Sequence, residues 1–235
     1  MQDFGAAFGL AFELILSGDA TLAEVVLLSL RVSLSAVAVA CFLGLPLGAA
    51  LAVLRFPGRG AVLVVLNALM GLPPVVVGLL IYLLLSKAGP LGVFGLLYTP
   101  TAMIIAQSVL VTPIVAALTR QVIEDMHGEY DEQLRSLGVE RLRAVGTLLW
   151  DGRYSLLTVA LAGFGRAVAE VGAVIIVGGN INHVTRVMTT AIALETSKGD
   201  LGLALALGII LIGLTVLVNG CVMALRGTAV KAAYA

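Results

Sequence analysis

Charged residues are spread very unevenly along this chain. Three windows, Val32–Leu54, Ala61–Ser86 and Leu201–Leu225, contain no Asp, Glu, Lys or Arg. Each is long enough for a helix of roughly 20 apolar residues, the length that crosses about 30 Å of hydrocarbon. A fourth uncharged run, Leu91–Thr119, opens on "GPLGVFGLLYTP". Its glycines and prolines predict a loop that leads into a span. A fifth run, Tyr154–Val177, is apolar apart from Arg166 and Glu170. The pattern predicts an all-α membrane protein of about five transmembrane helices. In lipid a helix closes its backbone hydrogen bonds within its own segment.

The polar positions gather instead between Arg120 and Arg153, where twelve charged residues lie. Charges between two spans must sit in water. Within this stretch, "EYDEQLRSLGVERLRAVGTLLW", apolar residues recur at Leu134, Leu137, Leu142, Val145, Leu148 and Leu149. That spacing predicts short amphipathic helices. Gly138 falls between them, where a helix would end in a left-handed residue and the chain would turn. The expected element is a helical hairpin at the membrane face over 121–153, since a plain connection needs only a few residues.

Composition agrees with a bilayer as solvent. Of 235 residues, 60% are hydrophobic and 12% charged, half the share typical of soluble domains. Mean hydropathy is +1.09. Fourteen basic residues balance fourteen acidic ones, and no basic stripe suggests nucleic acid as a partner. Cys41 and Cys221 both fall inside predicted spans, as small buried hydrophobes rather than a disulfide or metal pair. No cleavable signal is expected, because the first twenty residues carry Asp3, Glu13 and Asp19 and no basic segment. Phe4–Leu16, "FGAAFGLAFELIL", has the pattern of an interfacial helix within 1–20.

The basic residues also set an expected orientation. Arg55, Arg59, Arg120, Arg135, Arg141, Arg143, Arg153, Arg226 and Lys231 fall on one side of a five-span arrangement. Lys87, Arg186 and Lys198 fall on the other. The positive-inside rule then places the charged connection and the C-terminus in the cytoplasm and the N-terminus outside. Pro46 in "GLPLG" and Pro73-Pro74 in "GLPPVVVG" interrupt the first two spans. They are read either as packing kinks or as parts of a pore wall.

A family resemblance becomes visible at this point. "EQLRSLG" has the frame of the coupling motif in permease subunits of binding-protein-dependent ABC importers. Glu132 takes the place of the acidic residue and Gly138 that of the glycine. Gln133 and Leu134 replace two alanines, Leu148 takes the isoleucine position, and Trp150-Asp151 stand where Leu-Pro is usual. "GLPPVVVGLL" and "FGRAVAEVGAVIIVGGNI" resemble segments of molybdate- and sulfate-type permeases. The stretch from Gly165 to Asp200 is most similar to the tungstate permease subunit. The resemblance covers Leu22 to Leu225.

It implies a single type I importer permease domain over 1–235, a homodimer in a bacterial or archaeal plasma membrane. A separate cytoplasmic ATP-binding subunit would hold ATP and magnesium, and an extracytoplasmic protein would deliver the oxyanion. Glu132, Arg135, Leu137, Gly138 and Val139 would couple to the ATPase. The chain has no Gly-x-x-x-x-Gly-Lys-Ser/Thr phosphate loop. It is therefore expected to be no enzyme itself and to carry no cofactor, metal or catalytic residue.

Arg166 and Glu170 stand four apart, so they are expected to share a helix face and to pair. Ionisable residues inside the membrane are also candidates for a substrate pathway. Gly165, Ala169 and Gly172 would let helices approach closely, as a helix–helix or dimer contact. Beyond them, "GGNINHVTRVMTTAIALETSKGD" is rich in amides and hydroxyls, which suit a tetrahedral dianion. Asn180, Asn182, Thr185, Thr189 and Thr190 are candidates for an outer gate, or else belong to a polar outer loop. His127 and His183 are expected to be isolated surface residues. A self-standing channel or carrier is the competing reading. The charged hairpin has no purpose in it, and no inverted repeat is evident. An intramembrane enzyme lacks any cluster of catalytic residues.

Overall fold

The computed structural model describes residues 8, 9, 12, 13, 16–18 and 20–233, with side chains through 224. The interfacial helix expected over Phe4–Leu16 lies largely outside the described residues, as do the side chains of Arg226 and Lys231. The described chain is helical, and no strand occurs among the described residues. Helix α1 spans Ala20–Val53, α2 Arg59–Met70, α3 Pro74–Leu85 and α4 Pro100–Ser136. Helix α5 spans Arg141–Asp151, α6 Arg153–Val168, α7 Gly172–Gly178, α8 Met188–Lys198 and α9 Leu201–Ala233.

Three of these, α1, α4 and α9, are long and apolar enough to cross a membrane on their own. The total reaches five if α2 with α3, and α6 with α7, each make one interrupted span. The second span, expected over Ala61–Ser86 with an interruption at Pro73-Pro74, is broken there into α2 and α3. Its break follows from Leu72-Pro73-Pro74. A residue before proline is pushed out of the helical region, and this sequence has two such residues in a row. Pro74 then opens α3 at the first helical position, where its missing N–H costs nothing. Pro46 and Pro113, by contrast, lie inside continuous helices.

The chain forms two compact units. The first comprises Met1–Ser35, Pro74–Gln107 and Val168–Gly220. In it α3 packs on α7 at very close range. A Cβ added to Gly78 would stand 2.8 Å from the Cα of Ala173, and one on Gly172 3.0 Å from Val75 Cγ2. Of the small residues expected at Gly165, Ala169 and Gly172, Gly172 makes a close helix contact within the chain, whereas nothing among the described residues lies within 4 Å of a Cβ on Gly165. A second core joins Leu22 and Val25 of α1 to Met188 and Ala191 of α8 and Leu207 of α9. Buried Ser29 ties two of these helices together. Its hydroxyl accepts the Met188 N–H at 2.7 Å and donates to the Val25 carbonyl at 2.7 Å.

The second unit comprises Ala36–Pro73, Ser108–Ala167 and Cys221–Ala235. Its centre is the approach of α1 to α4. A Cβ on Gly44 would lie 2.9 Å from Val115 Cγ1, and one on Gly48 2.8 Å from Thr119 Cβ. Gly44 and Gly48 are four apart, the spacing that lets membrane helices touch backbone to backbone. Below this seam, Ala49, Ala52 and Val53 of α1 share a core with Ile123 of α4 and Ala144, Val145 and Leu148 of α5. Arg59, at the start of α2, donates to the Leu51 carbonyl at 2.7 Å and pairs with Glu124 at 3.0 Å. Glu124 also pairs with Arg120. Cys41 is half-buried, but Cys221 is exposed. The expectation that Cys221 is a buried hydrophobe does not hold, because no core among the described residues covers its face of α9.

Candidate functional site

The hairpin in the second unit is built from the end of α4 and the whole of α5. Its first arm is not a separate short helix, as the pattern suggested. It is the last part of a 37-residue helix that begins at Pro100. The turn itself follows from Gly138, whose φ of +69° is left-handed. The Val139 N–H returns to the Leu134 carbonyl at 2.9 Å and the Gly138 N–H to Arg135 at 3.0 Å. These two bonds form the Schellman closure of a helix C-terminus. The hydrophobic contact that accompanies it is also present, since Leu134 and Val139 both pack on the Ile123–Leu148 core.

The apolar stripe splits into two faces. Ala144, Val145 and Leu148 turn inward and fix α5 to the ends of α1 and α4. Leu137 and Leu142 turn outward and are 78% and 72% exposed. Glu132, Arg141 and Arg143 are exposed around them. Arg135 makes a two-pronged pair with Asp131, at 2.7 and 3.0 Å, and is itself exposed. The arrangement is a rigid knob with two bare leucines at its tip and charges at its rim. Such a shape suits insertion into a groove on another protein, with apolar anchors at the centre and polar contacts outside.

The second group of candidates belongs to the first unit, apart from Arg166 on α6. Arg166 and Glu170 do not share a continuous helix face, because α6 ends at Val168. Glu170 is instead placed by α7. Its buried carboxylate accepts the Ala173 N–H at 3.0 Å, and its carbonyl accepts the Thr189 hydroxyl at 2.9 Å. The Thr190 hydroxyl donates to the Val187 carbonyl at 3.0 Å and accepts the Val187 N–H at 3.1 Å, closing the first turn of α8. Thr185 donates to the Gly178 carbonyl at 2.5 Å and accepts the Ile181 N–H at 2.9 Å. The three hydroxyl protons are thus all directed at backbone carbonyls. Asn182 is exposed, and the Asn180 amide nitrogen reaches the Thr190 carbonyl at 3.4 Å.

Much of the segment expected as a polar outer loop is helix or hydrogen-bonded turn. Helix α8 occupies a segment read as a loop. Tyr98, Asn180 and His183 have left-handed φ of 61°, 50° and 58°. Asparagine and histidine enter this region more readily than other side chains, whereas a tyrosine stays there only where its surroundings hold it. Tyr98 is held by its N–H to the Val177 carbonyl at 2.9 Å, and its ring fills the space beside Gly179. Neither histidine is isolated. His183 Nδ1 lies 2.7 Å from Glu24 Oε2, and His127 Nε2 lies 3.7 Å from Asp131 Oδ1.

Residues 44–226 match the family described as binding-protein-dependent transport system inner membrane component. The chain is 38% identical over 226 residues to the tungstate uptake system permease protein of Peptoclostridium acidaminophilum, an alignment covering 96% of this chain and 99% of that one. It is 39% identical over 203 residues to a probable anion ABC transporter permease protein of Haloferax volcanii, covering 84% and 88% of the two chains. Over 150 residues it is 45% identical to the tungstate uptake system permease protein of Campylobacter jejuni, covering 63% of each. Permease proteins of sulfate and molybdenum transport systems match at lower identity.

Proposed function

Because the chain belongs to the binding-protein-dependent transport system inner membrane component family, we propose that it is the permease subunit of an ATP-driven importer whose substrate is a tetrahedral oxyanion, most simply tungstate. Two copies would form the permease. Each would present its hairpin to a cytoplasmic ATP-binding subunit, and an extracytoplasmic binding protein would supply the anion. Molybdate and sulfate are the alternative substrates, since the more distant relatives are named for them.

One observation carries this reading: the closed hairpin that keeps Leu137 and Leu142 bare at its tip while Ala144, Val145 and Leu148 are buried in the core behind it. Burying both leucines in the chain's own core would have been favourable by roughly 1.5–3 kcal/mol each. Their exposure supports a partner surface. The hairpin is also suited to passing on a push. Helix α5 is bonded through its core to α1 and α4, and α4 runs without a break from the hairpin tip to Pro100. Displacement of the tip by a closing ATPase would therefore move long membrane helices rather than a loose loop.

Co-purification tests the assignment. The chain should be recovered with a separate ATP-binding subunit in mild detergent, and the double variant Leu137→Asp, Leu142→Asp should lose that subunit while keeping its own yield. Recovery of the chain alone, under conditions that preserve other subunit complexes, would remove the basis for the proposal.

The proposed orientation puts the hairpin inside. A membrane-impermeant thiol reagent applied to sealed cells should label Lys87→Cys and Lys198→Cys in a background lacking Cys41 and Cys221. Arg141→Cys should react only after the membrane is opened. Labelling of Arg141→Cys from outside would invert the topology.

A further inference from the structure

In the second unit a groove of about 680 Å³ runs between α1, α5 and α6. Its walls are apolar: Phe42 and Leu45 of α1, Leu149 of α5, Leu157 and Ala160 of α6. One cation, Arg153, lines it, and no carboxylate does. The guanidinium carbon lies 4.8 Å from the ring centre of Trp150 and 4.6 Å from that of Tyr154. One N–H of Arg153 donates to the Trp150 carbonyl at 2.7 Å. An arginine has five N–H donors, and among the described residues the others have no partner.

We infer that this groove is a binding site for a single anionic phospholipid, with an acyl chain along the apolar walls and the headgroup phosphate on Arg153. The inference rests on the membrane reading and the inward-facing hairpin, not on the identity of the transported ion. Three features combine to select this occupant. An apolar trough that ends in one uncompensated cation is complementary to a molecule with a hydrocarbon body and an anionic end. Trp150 and Tyr154 flank that cation, and these side chains collect at the level of lipid headgroups. Arg153 follows the charged hairpin directly, which puts it at the cytoplasmic surface, where anionic lipids attract basic pockets between helices. A zwitterionic lipid would bring its own ammonium to a site with no carboxylate to receive it.

The site also touches the coupling machinery. Leu149 faces the groove and packs on the core that anchors the hairpin. A bound lipid would fill the open side of that anchor and stiffen α5 against α1.

The test uses the full chain in mild detergent, followed by native mass spectrometry. Dioleoyl phosphatidylglycerol, dioleoyl phosphatidylcholine and inorganic phosphate are added separately. One phosphatidylglycerol per chain should be retained at concentrations where phosphatidylcholine is stripped. Arg153→Gln should lower that retention on the order of tenfold, as expected for loss of a charge-assisted hydrogen bond. Arg153→Lys should keep part of it. Ala160→Phe should fill the trough and lower retention with Arg153 still present. Equal retention by the parent chain and Arg153→Gln would overturn the proposal. So would full competition by inorganic phosphate, which would make this an ion site. If Ala160→Phe broke self-association and left phosphatidylglycerol retention unchanged, a second copy would be the occupant and the lipid site would be refuted.

Discussion

Gly138→Val leaves the protein in the membrane at its normal level and lowers ATP-driven uptake by more than about tenfold, a loss of over 1.4 kcal/mol of coupling. The reasoning starts from backbone geometry. Gly138 has φ of +69° and no atom within 4 Å of an added Cβ. The substitution therefore meets no steric clash, and its whole effect is conformational. A β-branched residue in the left-handed region is disfavoured by roughly 1–2 kcal/mol. The turn would relax out of that region, and the two bonds that close α4 would be lost. Ala144, Val145 and Leu148 still hold α5 in the core with Ile123. The tip thus changes shape while the fold survives. Gly138→Asn should be milder, since asparagine is the other residue that helix ends accept here. Leu137→Asp should give the same uptake defect by a separate route. Leu137 is already exposed, so its loss removes nothing internal. Normal uptake in both Gly138→Val and Leu137→Asp would show that the tip docks into nothing.

Gly48→Leu prevents stable folding. At this point of α1 the backbone of α4 is so close that an added Cβ would lie 2.8 Å from Thr119 Cβ and 3.0 Å from the Arg120 nitrogen. A backbone cannot swing aside as a flexible side chain can, so the helices must separate. Separation opens the Gly44–Val115 contact as well and lifts Ala49 and Ala52 off the hairpin core. Overpacking of this kind costs about 3 kcal/mol or more, a large fraction of the 5–15 kcal/mol that stabilises an ordinary domain. The expected result is little recoverable protein, or a thermal midpoint in detergent well below that of the parent. Gly165→Ala is the matched control. It adds a methyl group to a position with nothing within 4 Å, and the midpoint should stay unchanged. A normal midpoint for Gly48→Leu would mean that α1 and α4 are not in contact.

The sequence and the structure part company for identifiable reasons. Charge-free windows located the membrane helices, because a charge in hydrocarbon is penalised wherever it falls. The left-handed turn at Gly138 was equally legible, since few residues other than glycine tolerate it. The break between α6 and α7 was not. No proline marks Ala169-Glu170-Val171; the Glu170 carboxylate takes the Ala173 N–H that the break frees at the start of α7. Treating the segment as one helix led directly to the expectation that Arg166 and Glu170 share a face. Helix α8 was hidden by its threonines, which read as loop residues. Thr190 in fact serves the first turn of that helix. "GLPLG" drew attention to its proline, whereas the glycines on either side carry the packing. The apolar stripe of the hairpin was visible, but its division into buried and bare leucines was not. That division depends on where α1 lies, and local spacing holds no record of it.

The most direct test of the account is uptake by reconstituted vesicles. Vesicles would contain this chain alone, or this chain with its ATP-binding subunit, and would receive a tungstate-loaded binding protein on the outside and ATP within. Accumulation of tungstate is expected only when the ATP-binding subunit and ATP are both present, and it should fall to background when Leu137→Asp replaces the parent chain. Tungstate entry into vesicles that hold this chain alone, at a rate indifferent to ATP and to Leu137→Asp, would contradict it and make the protein a self-standing channel or carrier.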